Sequence, residues 1–260
     1  MPPAVPDVLA DLTRLPGVTE AVDEARAAVD RLRGHRVVRR AGEKVAGESA
    51  LRGARASAAL DGADLPLDVV RRTLHAGGVL PEPEAPLVSG ALRVTAELGS
   101  LRPAWRRAPL QVLARLHALA ASGTTPPASL GRPRPGGAAA ERLAAVAQLV
   151  LSSTGAPALV VSAVVHGEVL AARAFEGANG VVARAAARLV VVTGGLDPDG
   201  LCAPEVGHVE LGAPAYEEAA AGYAGRDPDG IARWLVHCAS AVALGARDGL
   251  AVCEAIQRGA

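Results

Sequence analysis

The stretch HGEVLAARAFEGANGVVAR, His166 to Arg184, decides the fold. It overlaps the end of an apolar run, Ala156 to Ala172, whose character is helical rather than alternating. A turn of small residues follows: Gly177, Ala178, Asn179 and Gly180. Asn179 to Val192 then reads as a second helix, with Arg184 and Arg188 four residues apart and so on one face. The unpaired first amides of such a helix, together with its dipole, favour a negative group. Yet the turn lacks a nucleophile, a general base and a metal-ligating carboxylate where phosphate chemistry would place them.

Outward from this centre the pattern stays helical. Asp7 to Leu32 reads as one or two helices broken at Pro16-Gly17, and Glu48 to Leu60 as a helix stopped by Gly62. Leu67–Ala76, Ser89–Leu98, Pro109–Ala121, Ala138–Ser152, Pro214–Ala221 and Asp229–Ala246 are further helices. Between them, the basic segment Arg31 to Lys44 reads as a solvated connector. Pro81, Pro83 and Pro86 mark an extended linker, and Ser122 to Gly137 a Pro/Gly-rich loop. There is no internal repeat. The expectation is an all-α fold in three parts: an N-terminal helical extension and connector over 1–47, a helical domain over 48–250, and a tail over 251–260.

Composition narrows the function classes. The 260 residues carry zero formal net charge, so no polyanion-binding surface is advertised. Aromatics are 2% of the chain, which argues against a base-stacking platform, and nucleic acid is not an expected partner. Cys202, Cys238 and Cys253 form no C-x-x-C pair and suit a reducing compartment. The N-terminus has no signal-peptide pattern, and Ala156 to Val165 is too short to span a bilayer. A cytoplasmic protein without a membrane partner is expected.

Rival chemistries find little footing. RLVVVTGGLDPDG, Arg188 to Gly200, read as a strand and glycine turn, would suggest a dinucleotide-dependent oxidoreductase. The fingerprint needs three spaced glycines opening a helix, and Pro198 follows these. Neither G-x-S-x-G nor G-x-x-x-x-G-K-[ST] occurs. His35, His75, His117, His208 and His237 show no zinc-like spacing, and His166 on its apolar helix reads as a core residue. No metal site is expected.

The block from His166 to Arg184 resembles the signature of Fic (Fido) domain proteins, H-P-F-x-[DE]-G-N-G-R-x-x-R, preceded seven residues upstream by another His. RASAALDG, Arg55 to Gly62, is similar to the family's inhibitory motif [ST]-x-x-x-E-[GN], with Ser57, Asp61 and Gly62 in the matching places. The segment from Tyr216 to Ala246 looks like the family's C-terminal helix pair. The resemblance spans roughly Glu48 to Ala246, rests on order and spacing, and implies a Fic-like helical bundle with a class-II-like inhibitory helix over 48–62. The flap hairpin of the family corresponds to Pro126–Gly137, which is short and Pro-rich, so the flap is expected to be shortened or absent.

The family transfers AMP from ATP to a protein hydroxyl, with the motif His as base and the acidic residue on Mg²⁺. Here the base position is Arg173, whose guanidinium has no acceptor. Loss of a general base alone costs on the order of 10²–10⁴ in rate. The acidic position is Gly177, with Glu176 one residue early, and the first motif Arg is Val181. Ala178 replaces a turn glycine, at a cost of roughly 1 kcal/mol if its φ is positive. Asn179, Gly180 and Arg184 are retained.

What the resemblance implies is a Fic-like pseudoenzyme, inactive for AMP transfer, that binds an anion or nucleotide through Arg173, Asn179, Gly180 and Arg184, or a protein partner. No residue is assigned a catalytic role. The sequence names no cofactor: ATP or another nucleotide suits the surviving turn, and the missing carboxylate argues against Mg²⁺. The alternative is a diverged nucleotidyl- or phosphoryl-transferase using Glu176 or His166. Asp61 and Arg184 occupy the places of the family's inhibitory acid and last motif Arg, so an ion pair between them is expected.

Overall fold

The computed structural model describes residues 7–259. Helices are their only regular structure beyond two short 3₁₀ turns, and the one β-bridge, Ser122 with Thr125, is isolated. The order is α1 (Val8–Asp11), α2 (Val18–Gly34), α3 (Val38–Leu60), α4 (Leu67–His75), α5 (Ala85–Trp105) and α6 (Pro109–Ala121). Then follow α7 (Gly137–Leu151), α8 (Ala158–Ala172), α9 (Asn179–Thr193), α10 (Pro204–Leu211), α11 (Ala213–Gly225) and α12 (Pro228–Gln257). The expected all-α fold is what forms, and Pro126–Gly137 holds a 3₁₀ turn, Pro127–Ser129, and no strand.

Helix α9 is the axis. Gly180 to Val191 are all buried, so this helix meets neighbours on every side. Ala at 183, 185, 186 and 187 keeps the helix thin enough for close approach, while two arginines inside it demand polar partners. Helix α8 packs against it and is more apolar still. On one flank α5 and α6 build a core with Val88, Trp105, Leu113, Leu116 and Phe175. On the other, α2 and α12 enclose Val29, Leu32, Trp234, Leu235 and Val252.

Helix α2 shows how the pattern selects its partner. Its buried residues Val18, Val22, Ala25, Val29 and Leu32 recur at the spacing of one helical face. Helix α12, in contact with it, is long and apolar enough to cross a membrane by length and composition. In the fold, 56% of its most apolar window is buried against protein, and Arg247 and Asp248 form ion pairs, so it is a core helix.

Some boundaries differ from expectation. Arg31–Lys44 is helical except at residues 35–37, because α2 and α3 continue into it; a kink at Ala41 (φ −143°) absorbs the change of direction. Pro86 lies in the first turn of α5, where its missing N–H costs nothing, so the linker is shorter than the prolines suggested. Helix α12 runs to Gln257 with Val252 and Cys253 buried. Helix α10 was not foreseen: it is eight residues long with a glycine inside. A Cβ on Gly207 would fall 2.0 Å from the Ala241 carbonyl oxygen, so tertiary contact with α12 explains the glycine. Arg188–Thr193 is helix, not strand, which removes the dinucleotide-fold reading of the glycines after it.

Candidate functional site

The signature turn is tied down by its own backbone. Helix α8 ends at Arg173 in the left-handed region (φ 41°), and Gly177 (φ 79°) and Ala178 (φ 51°) lead into α9. Asn179 clamps the turn at both ends: its Oδ1 accepts from the Phe175 N–H at 3.0 Å, and its Nδ2 donates to the Phe175 carbonyl at 2.9 Å. Arg134 donates its backbone N–H to the Ala174 carbonyl (2.7 Å) and its Nε to the Phe175 carbonyl (3.0 Å). The Thr125 hydroxyl donates to the Glu176 carbonyl at 2.8 Å.

His117 is the buried support below. Its ring stacks on Phe175 at 4.5 Å between centroids. The Gly131 N–H donates to Nδ1 at 3.0 Å, so the imidazole proton sits on Nε2, which donates to the Glu176 carbonyl at 3.2 Å. Burial lowers the pKa of His117, against the pull of Glu176, and favours this neutral tautomer.

Over the start of α9 lies a carboxylate of the chain itself. Arg184, one turn into the helix, is 3% exposed. Its Nη2 donates to Asp61 Oδ1 at 2.8 Å and to the Ser57 carbonyl at 2.7 Å, its Nε to the Ser57 hydroxyl at 2.9 Å, and its Nη1 to the Tyr216 hydroxyl at 3.3 Å. Burial would favour losing the proton, but the Asp61 carboxylate and Tyr216 outweigh it and raise the pKa, so the guanidinium stays charged. A Cβ on Gly180 would stand 2.2 Å from Asp61 Oδ1, so the carboxylate rests directly against the second residue of α9. That is the position where an anion gains from the free amides and dipole of a helix start. Asp61 reaches it because Gly62 (φ 94°) ends α3 beside it.

The network continues inward. Arg184 can only donate, so the Tyr216 oxygen accepts from it, and the hydroxyl proton is free to donate to His166 Nε2 at 2.8 Å. Burial, then the charge of Arg184, lowers the His166 pKa well below its usual value, so the ring is neutral. Burial also pushes the Tyr216 hydroxyl up to about 12. Asp61, Arg184, Tyr216 and His166 thus form one polar chain from the surface to the interior. One turn further along α9, Arg188 reaches Glu205 Oε2 (3.5 Å), the Ser49 hydroxyl (3.4 Å) and the Gly200 carbonyl (3.2 Å).

The structure therefore brings together Ser57, Asp61, Gly180 and Arg184, from α3 and α9, and gives Gly62 the role of helix stop. Arg173 is exposed at the end of α8, and Asn179 spends its amide on the turn. Sequence reasoning missed Tyr216 as a partner of Arg184, and His117 and Arg134 as the props of the turn. Their separations, 32 residues for Tyr216–Arg184 and 41 for Arg134–Phe175, leave no local pattern to read. It also missed that His166, His208 and Cys238, from α8, α10 and α12, converge with donor atoms within 4.8 Å of one another.

A Mg²⁺ ion of the kind the resemblance implies has no ligand set here. Gly177 offers no side chain, Glu176 is exposed with its carbonyl held by Thr125 and His117, and the carboxylate beside α9 is engaged by Arg184. The residues present do not fit the ion.

No protein-family model matches the sequence, and no curated protein does. Solved structures do match by shape. A Fic family protein from Desulfovibrio desulfuricans G20 superposes with a TM-score of 0.74 at 17% identity, covering 91% of this chain and 75% of that one. Residues 134–508 of Fic-1 from C. elegans superpose with a TM-score of 0.73 at 15% identity, covering 94% and 74%. The chain has a Fic-like fold.

Proposed function

We propose that this Fic-fold chain has lost AMP transfer and serves as an anion-recognition module, directed at a phosphate group such as that of a nucleotide, whose site is covered by its own Asp61. The observation that carries the reading is the Asp61–Arg184 pair at 2.8 Å, seated against Gly180 at the start of α9. The carboxylate stands where a phosphate would stand, and the same groups hold either. Transfer itself lacks its parts: Arg173 cannot take a proton, and no carboxylate is placed for a hard cation. Both deficits sit on the turn, so moving Asp61 away does not repair them.

The test is thermal unfolding with phosphate, AMP, ADP and ATP, each with and without Mg²⁺, on the parent chain and on Asp61→Ala. The parent is expected to show no shift. Asp61→Ala, with Arg184 and the helix start released, should be stabilised by the anions without Mg²⁺: a ligand at about 100 times its Kd contributes roughly 2.7 kcal/mol. Adding Arg184→Met should remove that gain. Transfer of label from α-labelled ATP to protein, in either chain, would overturn the reading in favour of a diverged nucleotidyltransferase. Absence of any anion response in Asp61→Ala would leave the pair a purely structural contact.

A further inference from the structure

The interior carries a second cluster that the polar chain does not use up. His166 of α8, His208 of α10 and Cys238 of α12 are 2%, 3% and 7% exposed, and their donor atoms lie within 4.8 Å of one another. All three line one small cavity of about 20 Å³. That is roughly the room of a single water-sized sphere. We infer that this cluster is a transition-metal site, built for a borderline-soft divalent cation of the Zn²⁺ type.

The donor set selects the ion. Imidazole nitrogen and thiolate sulfur suit Zn²⁺ and its neighbours and are poor ligands for Mg²⁺ or Ca²⁺. Tetrahedral bonds of about 2.0–2.1 Å to nitrogen and about 2.3 Å to sulfur place ligand atoms roughly 3.3–3.8 Å apart. The present spread, up to 4.8 Å, therefore needs to close by about 1 Å on binding. A three-ligand set leaves the fourth position to water.

The surroundings are those of a held ligand pair. A metal-bound histidine normally fixes its ring through its other nitrogen. His166 Nε2 lies 2.8 Å from the Tyr216 hydroxyl, and His208 Nδ1 lies 3.0 Å from His237 Nε2. In each ring one nitrogen faces an outer partner; a metal on the other nitrogen of His166 would put the proton on Nε2 and turn the Tyr216 bond round, so that Nε2–H donates to the hydroxyl. Trp234 packs edge-on to His166 at 4.8 Å, and His237 stacks on His208 at 5.1 Å, so both rings are confined.

Charge is the strongest objection. Arg184 and Arg188 also line the cavity. Each faces a carboxylate, Asp61 at 2.8 Å and Glu205 at 3.5 Å, and Glu205 lines the cavity itself. On binding, the Cys238 S–H bond breaks, a sulfur–metal bond forms, and the proton leaves to solvent. No electron moves. One divalent ion with one thiolate adds a single positive charge to a set of paired ions.

The site requires no anion at Arg184, although Arg184 lines the same cavity, and its test uses the metal alone. The full chain, stripped with chelator, is refolded with Co²⁺ as the probe. One Co²⁺ per chain should bind, with intense visible bands of four-coordinate cobalt and a thiolate-to-cobalt charge-transfer band, and Zn²⁺ should displace it. Cys238→Ser should lose the charge-transfer band, and His208→Gln should weaken binding by more than the roughly 10–100-fold typical of a lost outer partner. Cys202→Ser and Cys253→Ser should bind as the parent does. Circular dichroism on each variant separates a lost site from a lost fold. Tyr216→Phe, which removes only an outer partner, gives a milder, graded weakening. No stoichiometric Co²⁺ in the refolded parent, or undiminished binding in folded Cys238→Ser, overturns the assignment.

Discussion

Asp61 and Arg184 lie 123 residues apart in sequence and 2.8 Å apart in space, and the guanidinium is the more deeply buried partner, at 2% side-chain exposure against 21%. The asymmetry matters. A buried cation that loses its carboxylate cannot return to water without unpacking α9, whereas the carboxylate, if released, is already near the surface. The pair is thus a fixed cation with a removable anion.

Removing the anion should cost stability without destroying the fold. Breaking a fully buried pair costs about 3–5 kcal/mol. Asp61 is partly exposed, and Arg184 keeps Ser57 and Tyr216, so Asp61→Asn should cost about 2 kcal/mol. In a chain this size that is roughly 4–8 °C in Tm. Arg184→Met should cost more than Asp61→Asn, because it also takes the donor from the buried Ser57 carbonyl, the Ser57 hydroxyl and Tyr216. Calorimetry on the two single variants decides the order.

Gly180 supplies a sharper, sign-changing case. An alanine there would place Cβ 2.2 Å from Asp61 Oδ1, so Gly180→Ala should destabilise the parent by about 1–3 kcal/mol. Without the carboxylate the two closest contacts, 2.2 and 2.8 Å, disappear and only Arg184 Nη1, the end of a flexible side chain, stays at 2.9 Å, while alanine in a helix gains roughly 0.5–1 kcal/mol over glycine. Gly180→Ala made in the Asp61→Ala chain should therefore be neutral or stabilising. A double-mutant cycle by chemical denaturation reads this coupling, and additive effects would show that Asp61 does not occupy the helix start.

The sequence carried the helices, because each buries an apolar face whose period is local: Val18, Val22, Ala25, Val29 and Leu32 announce α2 by themselves. The Asp61–Arg184 pairing was legible only through the family resemblance, since 123 residues separate the two. The sequence could not carry α10, where Gly207 is chosen for contact with Ala241 rather than for helix propensity. Nor could it carry Tyr216 on Arg184, His117 under Phe175, or His208 beside Cys238, since each contact is set by how helices dock. Asn179 is the instructive intermediate. Its presence in the turn was legible, but its amide serves the turn's own backbone at Phe175.

Asn179→Ala should leave the part-buried Phe175 N–H unpaired, while the Phe175 carbonyl keeps Arg134 Nε, and should cost about 1–3 kcal/mol. Asn179→Asp keeps the acceptor for the Phe175 N–H but loses the donor to its carbonyl, and should fall between. A ligand-binding asparagine without structural duty would leave stability unchanged in both, so unfolding midpoints alone discriminate.

Acid should destabilise the fold earlier than its carboxylates would. Burial lowers the pKa values of His166 and His208 well below the usual 6.5, and that of His237 also falls. Above about pH 6.5 these rings are neutral in both the folded and unfolded chain, and their contribution is fully present. Below it the unfolded chain takes up protons that the folded chain refuses. Stability then falls as pH drops toward the lowered folded values, by up to about 1.4 kcal/mol per unit for each fully refusing ring. His166 and His208 together should cost at most about 2 kcal/mol between pH 6.5 and 5.5. Asp197, whose pKa burial raises from 3.8, acts oppositely and at lower pH, because the folded chain takes its proton first. Denaturant unfolding of the chelator-treated, metal-free chain across pH 5.5–8 should show the loss, and His208→Gln should flatten it by about half. A profile that stays level down to pH 5.5 would mean that these imidazoles accept protons in the fold, contrary to their burial beside Arg184.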